Sequence, residues 1–292
     1  MINDFEFIRA RDVPEALQAL AGDGRIVPLA GGTNVLVYMK RAPLQADVVV
    51  DLTRLESLQS ISANRDRVRL GANVTFTQLL EWKPSGPVQA LMHPMCVAFA
   101  GPLIRNRATI GGNVCDASPA ADVSPVLLAL DAEVELESAA NGSRRLALTG
   151  FFQGVRKTAK RGDELLTGIS FPRPGDDERT FYYKLGKRRA DAISIVSVAI
   201  RVKFAGDRVE SARIGLGAVA PVAMRAKNAE AMVQGEALTD TIIGKAAAAA
   251  AAESRPIDDF RSGGGYRRQM VETLVARGLK RIAGPKDVQA RK

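Results

Sequence analysis

The chain has 292 residues, 46% apolar and 25% charged, which is the composition of a soluble globular protein with room for two ordinary domains. No apolar run approaches the ~20 residues that span a bilayer, and two cysteines, Cys96 and Cys115, are too few for an iron–sulfur cluster, a four-cysteine zinc site or a disulfide framework. The net charge of +9 raises nucleic-acid binding, but Lys and Arg are scattered, aromatics do not alternate with them and no binding motif is present, so no nucleic acid is expected.

In chain order, Asp12-Val13-Pro14-Glu15 gives a capping residue with Glu three later, and Ala16, Leu17 and Leu20 follow at helical spacing. This predicts a first helix, ended by Gly22 and Gly24. Ile26–Leu29 reads as a strand running into Leu29-Ala30-Gly31-Gly32-Thr33-Asn34, and Val35–Met39 as a short helix leaving that turn. Strands are expected over 47–52 and 68–72, and helices over 76–82 and 88–99. The second glycine stretch, Arg105-Asn106-Arg107-Ala108-Thr109-Ile110-Gly111-Gly112-Asn113, comes next, then a helix near 125–130 and a strand at 133–136. The polar Pro172-Arg173-Pro174-Gly175-Asp176-Asp177 marks a domain boundary, dividing the chain into 1–175 and 176–292. Beyond it, strands over 181–185, 193–204 and 209–219 precede helices over 226–233, 239–253 and 266–282, an α+β layer. Helix propensity and close helix packing account for the run Ala246–Ala252.

The two glycine stretches carry the chemistry. Paired glycines let the backbone turn through positive φ and let another group approach bare N–H donors. Successive amides aimed into one concavity make an anion nest, to which Thr and Asn add further donors. Two such turns read as two walls around one pyrophosphate. Neither has the Rossmann G-x-G-x-x-G spacing with an acid about twenty residues on.

On Ala30–Asn34 and Thr109–Asn113, continued through Asn113-Val114-Cys115-Asp116-Ala117-Ser118-Pro119-Ala120-Ala121-Asp122, Leu165-Leu166 and Tyr183-Lys184, the chain resembles the flavin subunit of molybdenum hydroxylases. That group includes relatives of xanthine dehydrogenase, of the carbon monoxide dehydrogenase medium subunit and of the 4-hydroxybenzoyl-CoA reductase β-subunit. The last carries a cysteine-bearing insertion for an extra [4Fe–4S] cluster, which two cysteines cannot supply. The resemblance implies an α+β fold. A PCMH-type FAD-binding domain of two α+β subdomains, shared with the vanillyl-alcohol oxidase and cell-wall reductase flavoproteins, would precede a smaller α+β C-terminal domain of the CO dehydrogenase flavoprotein type.

The same resemblance implies one non-covalent FAD and no catalytic or metal-ligating residue. It implies an electron-transfer role, with a molybdopterin-binding large subunit and a [2Fe–2S] small subunit in a heterotrimer or a dimer of heterotrimers. Leu29, Ala30, Gly31, Gly32, Thr33, Asn34, Thr109, Ile110, Gly111, Gly112 and Asn113 would line the pyrophosphate. Asp122 would accept from a ribitol or ribose hydroxyl, Leu165 and Leu166 would floor a ring, and Lys184 would stand near the pyrimidine edge of the flavin.

As bare residues these have plainer readings: Asp122 a helix cap, Lys184 an exposed strand lysine, the leucine pair core. Arg105 and Arg107 fit diphosphate, acids on a partner, or structural salt bridges. His93, the single histidine, lies outside both turns and leaves no material for a triad or a histidine metal site. The basic charge fits docking of an acidic partner or an ordinary solvated surface. The acidic stretch Asn3-Asp4-Phe5-Glu6 stands where a signal peptide is basic, so a cytoplasmic location is expected unless a partner carries an export signal. A self-contained flavin oxidoreductase and a non-redox nucleotide-binding or assembly module stand as alternatives.

Overall fold

The computed structural model describes residues 4–41, 46–188 and 191–284. Strand β1 (Glu6–Arg9) leads into helix α1 (Val13–Leu20), which starts where the sequence predicts: the Asp12 carboxylate accepts from the Glu15 amide at 2.8 Å. The reciprocal half of the capping box is displaced by one residue, since Glu15 accepts from the Arg11 amide. Ala16, Leu17 and Leu20 bury one face of the helix. β2 (Ile26–Leu29), α2 (Val35–Arg41) and β3 (Val48–Asp51) follow, and the strands pair in parallel in the order β1-β3-β2. The central strand is apolar on both sides because it is covered on both. Val50 packs with Ala16 and Leu17, and Val49 with Met39 and Ala46.

A second layer begins with β4 (Ile61–Ala63) and β5 (Arg67–Gly71). The helices α3 (Phe76–Glu81), α4 (Gly86–Ala98), α5 (Pro102–Arg105), α6 (Ile110–Asp116) and α7 (Val123–Ala129) come next. They are followed by β6 (Glu133–Ser138), β7 (Gly142–Ala147), α8 (Leu148–Phe151), the short hairpin β8 (Phe152–Gly154) and β9 (Lys157–Thr158), and β10 (Leu165–Pro172). Among the described residues β4, β5, β10, β6 and β7 form an antiparallel sheet in that order. β6 shows why one face meets the core: Val134 and Leu136 are buried while the intervening glutamates are half-buried. β10 breaks register between Leu166 and Gly168, next to where it will matter.

The third layer is an antiparallel sheet of β11 (Arg179–Leu185), β12 (Val196–Ala205), β13 (Arg208–Gly217) and β14 (Met224–Arg225), backed by α9 (Lys227–Val233), α10 (Asp240–Glu253) and α11 (Gly264–Ala283). Ala246, Ala247, Ala250 and Ala251 of α10 are buried in the core that α11 shares, so small side chains serve close helix packing there. The third layer is welded to the second. Tyr182 of β11 and Ala199 of β12 belong to the second layer's core. Asp131, just past α7, accepts from Arg201, Arg213 and Arg225 at 2.6–2.7 Å. Among the described residues no helix is long and apolar enough to cross a membrane.

Candidate functional site

β2 ends at Leu29, and the chain turns through Ala30–Asn34 before α2 begins. Gly32 takes a φ of 73°, a conformation that costs a side chain but not glycine. Gly31 is glycine for a different reason: a Cβ there would sit 1.8 Å from the Arg107 carbonyl oxygen. The first turn is therefore packed directly on the segment that leads into the second. The amides of Gly31, Gly32, Thr33 and Asn34 donate to no acceptor among the described residues. The Asn34 side chain is anchored, donating to Asp116 Oδ2 at 3.0 Å, and the Tyr38 hydroxyl donates to Asp116 Oδ1 at 2.9 Å. Burial and the Asp116 charge push the Tyr38 hydroxyl up to about 12, so it stays a donor.

The second glycine pair departs from the expectation of a positive-φ turn. Gly111 and Gly112 form the first turn of α6, and neither has positive φ. Thr109 caps the helix, its hydroxyl accepting from the Gly112 amide at 3.1 Å. The Ile110 and Gly111 amides donate to the Val74 and Ala72 carbonyls, both at 2.9 Å. These donors are spent on the fold, so the second stretch is not a bare nest. What it offers instead is the side chain of Asn113, whose Oδ1 is buried with no donor among the described residues. Such an atom is costly to leave alone and is a place for a ligand's donor.

Both stretches face one cavity of about 690 Å³. Every expected site residue lines it except Leu29 and Ile110. Ile110 is fully buried in the core of the second layer, and Leu29 packs beside Val27 and Val49. Leu165 and Leu166 are successive residues of β10, one in the core of the first layer and the other in that of the second, so the cavity lies on their seam.

At one part of the wall Lys184 and Asp122 meet. Lys184 Nζ donates to Asp122 Oδ2 at 2.6 Å and to the Ala98 carbonyl, at the end of α4, at 2.9 Å. The Ser194 hydroxyl donates to Asp122 Oδ1 at 2.6 Å. Asp122 precedes α7 but makes no side-chain cap, and Lys184 is buried, so neither plain reading holds. Burial pushes the Asp122 carboxyl up, and Lys184 and Ser194 oppose that shift. An ammonium has three N–H donors, so Lys184 keeps one.

Other candidates fall elsewhere. Arg105 donates to the carbonyls of Phe99 and Ala100, bracing the loop after α4, and makes no salt bridge among the described residues. The Arg107 side chain is exposed with no acceptor among the described residues. His93 is exposed on α4 and does not line the cavity. Cys115 does line it, but burial pushes its thiol up to about 11. Among the described residues no group of three metal-ligating side chains exists. Sequence reasoning missed Tyr38, Asp116, Ser194 and Arg156, which lines the cavity with its guanidinium 4.0 Å from the centre of the Tyr38 ring. Asp116 sits inside the quoted Asn113–Asp122 run, where its charge was a usable signal, and Tyr38 stands one helical turn after Asn34; Arg156 and Ser194 meet the site only through the fold.

A family profile described as "FAD binding domain in molybdopterin dehydrogenase" matches residues 3–174, and one described as "CO dehydrogenase flavoprotein C-terminal domain" matches residues 181–282. The glyceraldehyde dehydrogenase medium chain of Sulfolobus acidocaldarius is 32% identical, with 96% of this chain and 99% of that one covered. The carbon monoxide dehydrogenase medium chain of Hydrogenophaga pseudoflava is 31% identical over 94% of this chain and 96% of its own. A solved carbon monoxide dehydrogenase from the same organism superposes with a TM-score of 0.90 at 31% identity, covering 96% of this chain and 97% of that one.

Proposed function

The chain belongs to the molybdopterin dehydrogenase flavoproteins, carrying their FAD-binding domain and their C-terminal domain in succession, and on that premise we propose that it relays electrons through FAD. FAD is its cofactor, and the molybdenum and iron–sulfur groups belong to the other subunits of a heteromeric dehydrogenase. The observation that carries the reading is the run of four amides at Gly31–Asn34, without acceptors among the described residues and belonging to residues that line a cavity of ligand size. We keep the domain division at 175/176, between the two matched stretches.

In this reading the Gly31–Asn34 amides hold the pyrophosphate, since successive free N–H groups stabilise an anion by hydrogen bonding without a side-chain charge. Leu29 and Ile110 support the two turns from behind. Gly112 leaves the opposite wall free of a Cβ, and Asn113 Oδ1 accepts from a sugar hydroxyl or a ring amine. Leu165 and Leu166 give an apolar floor. Lys184 presents its remaining N–H to the pyrimidine edge, with Asp122 limiting its net charge. The chemistry that FAD supplies when bound is exchange of electrons between one-electron and two-electron carriers. Asp122 and Lys184 are held together as an ion pair rather than as a free acid and base, which agrees with a relay. Free thiols at Cys96 and Cys115 suit a cytoplasmic complex.

The flavin is held without a covalent bond, because the Cys115 thiol stays protonated and His93 is off the cavity. Acid precipitation of the purified protein should release yellow flavin into the supernatant, and the apo-chain should take up one FAD again. Flavin retained in the pellet would contradict the non-covalent assignment. No uptake at all would overturn the site.

A further inference from the structure

Asp122 is gripped from two sides. Its Oδ2 meets the Lys184 ammonium and its Oδ1 the Ser194 hydroxyl, each at 2.6 Å. Ser194 lies just ahead of β12 and is 0% exposed. Its own carbonyl accepts from Arg261 at 3.0 Å, and Arg261 is held by Asp259 at 2.6 Å. The serine is therefore fixed through both its main chain and its side chain. A carboxylate otherwise turns about its last torsion at little cost; donors on both oxygens remove that freedom. In a buried place each donor also offsets the desolvation that disfavours the charged form.

We propose that Ser194 is a positioning residue of the flavin site, its hydroxyl locking Asp122 against Lys184 and so setting the net charge beside the bound ring. This rests on reading the cavity as the FAD site. Without the hydroxyl, Asp122 Oδ1 is buried without a donor and the carboxylate holds a proton more readily. Lys184 is then less neutralised, and an uncompensated ammonium stabilises the electron-rich reduced flavin. The flavin midpoint potential moves up.

The test uses the full FAD-loaded chain and the variants Ser194→Ala, Asp122→Asn and the double substitution. Three quantities are read: midpoint potential by anaerobic dye equilibration, FAD dissociation constant by flavin fluorescence, and thermal midpoint. Ser194→Ala should raise the potential and change FAD binding by no more than about tenfold, since the hydrogen bond lost lies within the protein and not to the ligand. Asp122→Asn should raise the potential further, and adding Ser194→Ala to it should change neither quantity again. Ser194→Thr, which keeps the donor, should return the potential toward that of the unaltered chain. A serine with a merely structural role would lower the thermal midpoint and leave the potential fixed, or would act equally in both backgrounds. Either result overturns the proposal. Failure of the unaltered chain to bind FAD would remove the site reading and this inference with it, and that is seen before any variant is made.

Discussion

A Cβ on Gly31 would lie 1.8 Å from the Arg107 carbonyl oxygen and 2.6 Å from its carbon, whereas on Gly112 the nearest atom is the Thr109 hydroxyl at 2.9 Å. Backbone cannot swing aside as a side chain does. Gly31→Ala should therefore cost about 1–3 kcal/mol as overpacking and lose flavin together with stability. In Gly112→Ala, a gain of about 1 kcal/mol in helix propensity sets against a similar loss at the Thr109 cap, so stability should hardly move. Flavin occupancy should nonetheless fall, because the new methyl enters the cavity wall. Urea unfolding of the apo-chains and flavin absorbance of the loaded ones separate the two; full occupancy in Gly112→Ala would take α6 out of the site. At this scale the sequence carried the identities well and the partnerships poorly. Asp122 and Lys184 could each be singled out, but 62 residues separate them and nothing local says that they meet. Ser194 gave no signal at all, since a buried serine before an apolar strand looks like any other.

Elements with their own cap and period were legible. α1 has Asp12 and an apolar stripe, and β12 and β13 have long runs bounded by Gly206 at a φ of 66°. The second glycine stretch is a helix start rather than a positive-φ turn: Thr109 within it is the cap, and the carbonyls of Ala72 and Val74, far off in sequence, take its first amides. β12 begins at Val196 rather than 193, because Ser194 is committed to Asp122 and Arg261. The junction of α7 with the third sheet is likewise non-local. Asp131 there serves Arg201 and Arg225, both mostly buried, and Arg213, whose side chain is 33% exposed. Asp131→Asn should cost about 1–2 kcal/mol, since it removes the carboxylate charge shared by three arginines while Arg201 keeps Glu178 and Arg225 keeps Glu230. Arg213→Gln should cost under about 1 kcal/mol, as solvent-screened pairs do. Equal losses in urea unfolding would mean that the cluster does not hold the layers together.

The molecule brings three layers to one cavity: Leu165 through the core of the first, Leu166 through that of the second, and Lys184 from the third. A chain so built holds a cofactor between its parts and keeps Asp122 and Lys184 together as an ion pair, which suits a relay between other subunits. We propose that part of the net charge of +9 serves docking of an acidic iron–sulfur partner, which would weaken as salt rises, whereas a merely solvated basic surface would show no such dependence. The most direct test is anaerobic stopped-flow mixing of the FAD-loaded chain with its [2Fe–2S] subunit reduced beforehand by dithionite and freed of excess reductant. The flavin absorbance should bleach as the clusters reoxidise, more slowly at high ionic strength, while the chain alone should leave the complex's organic substrate untouched. Clusters that stay reduced beside an unbleached flavin, or a chain that alone oxidises the substrate at the rate of the complex, would contradict the account.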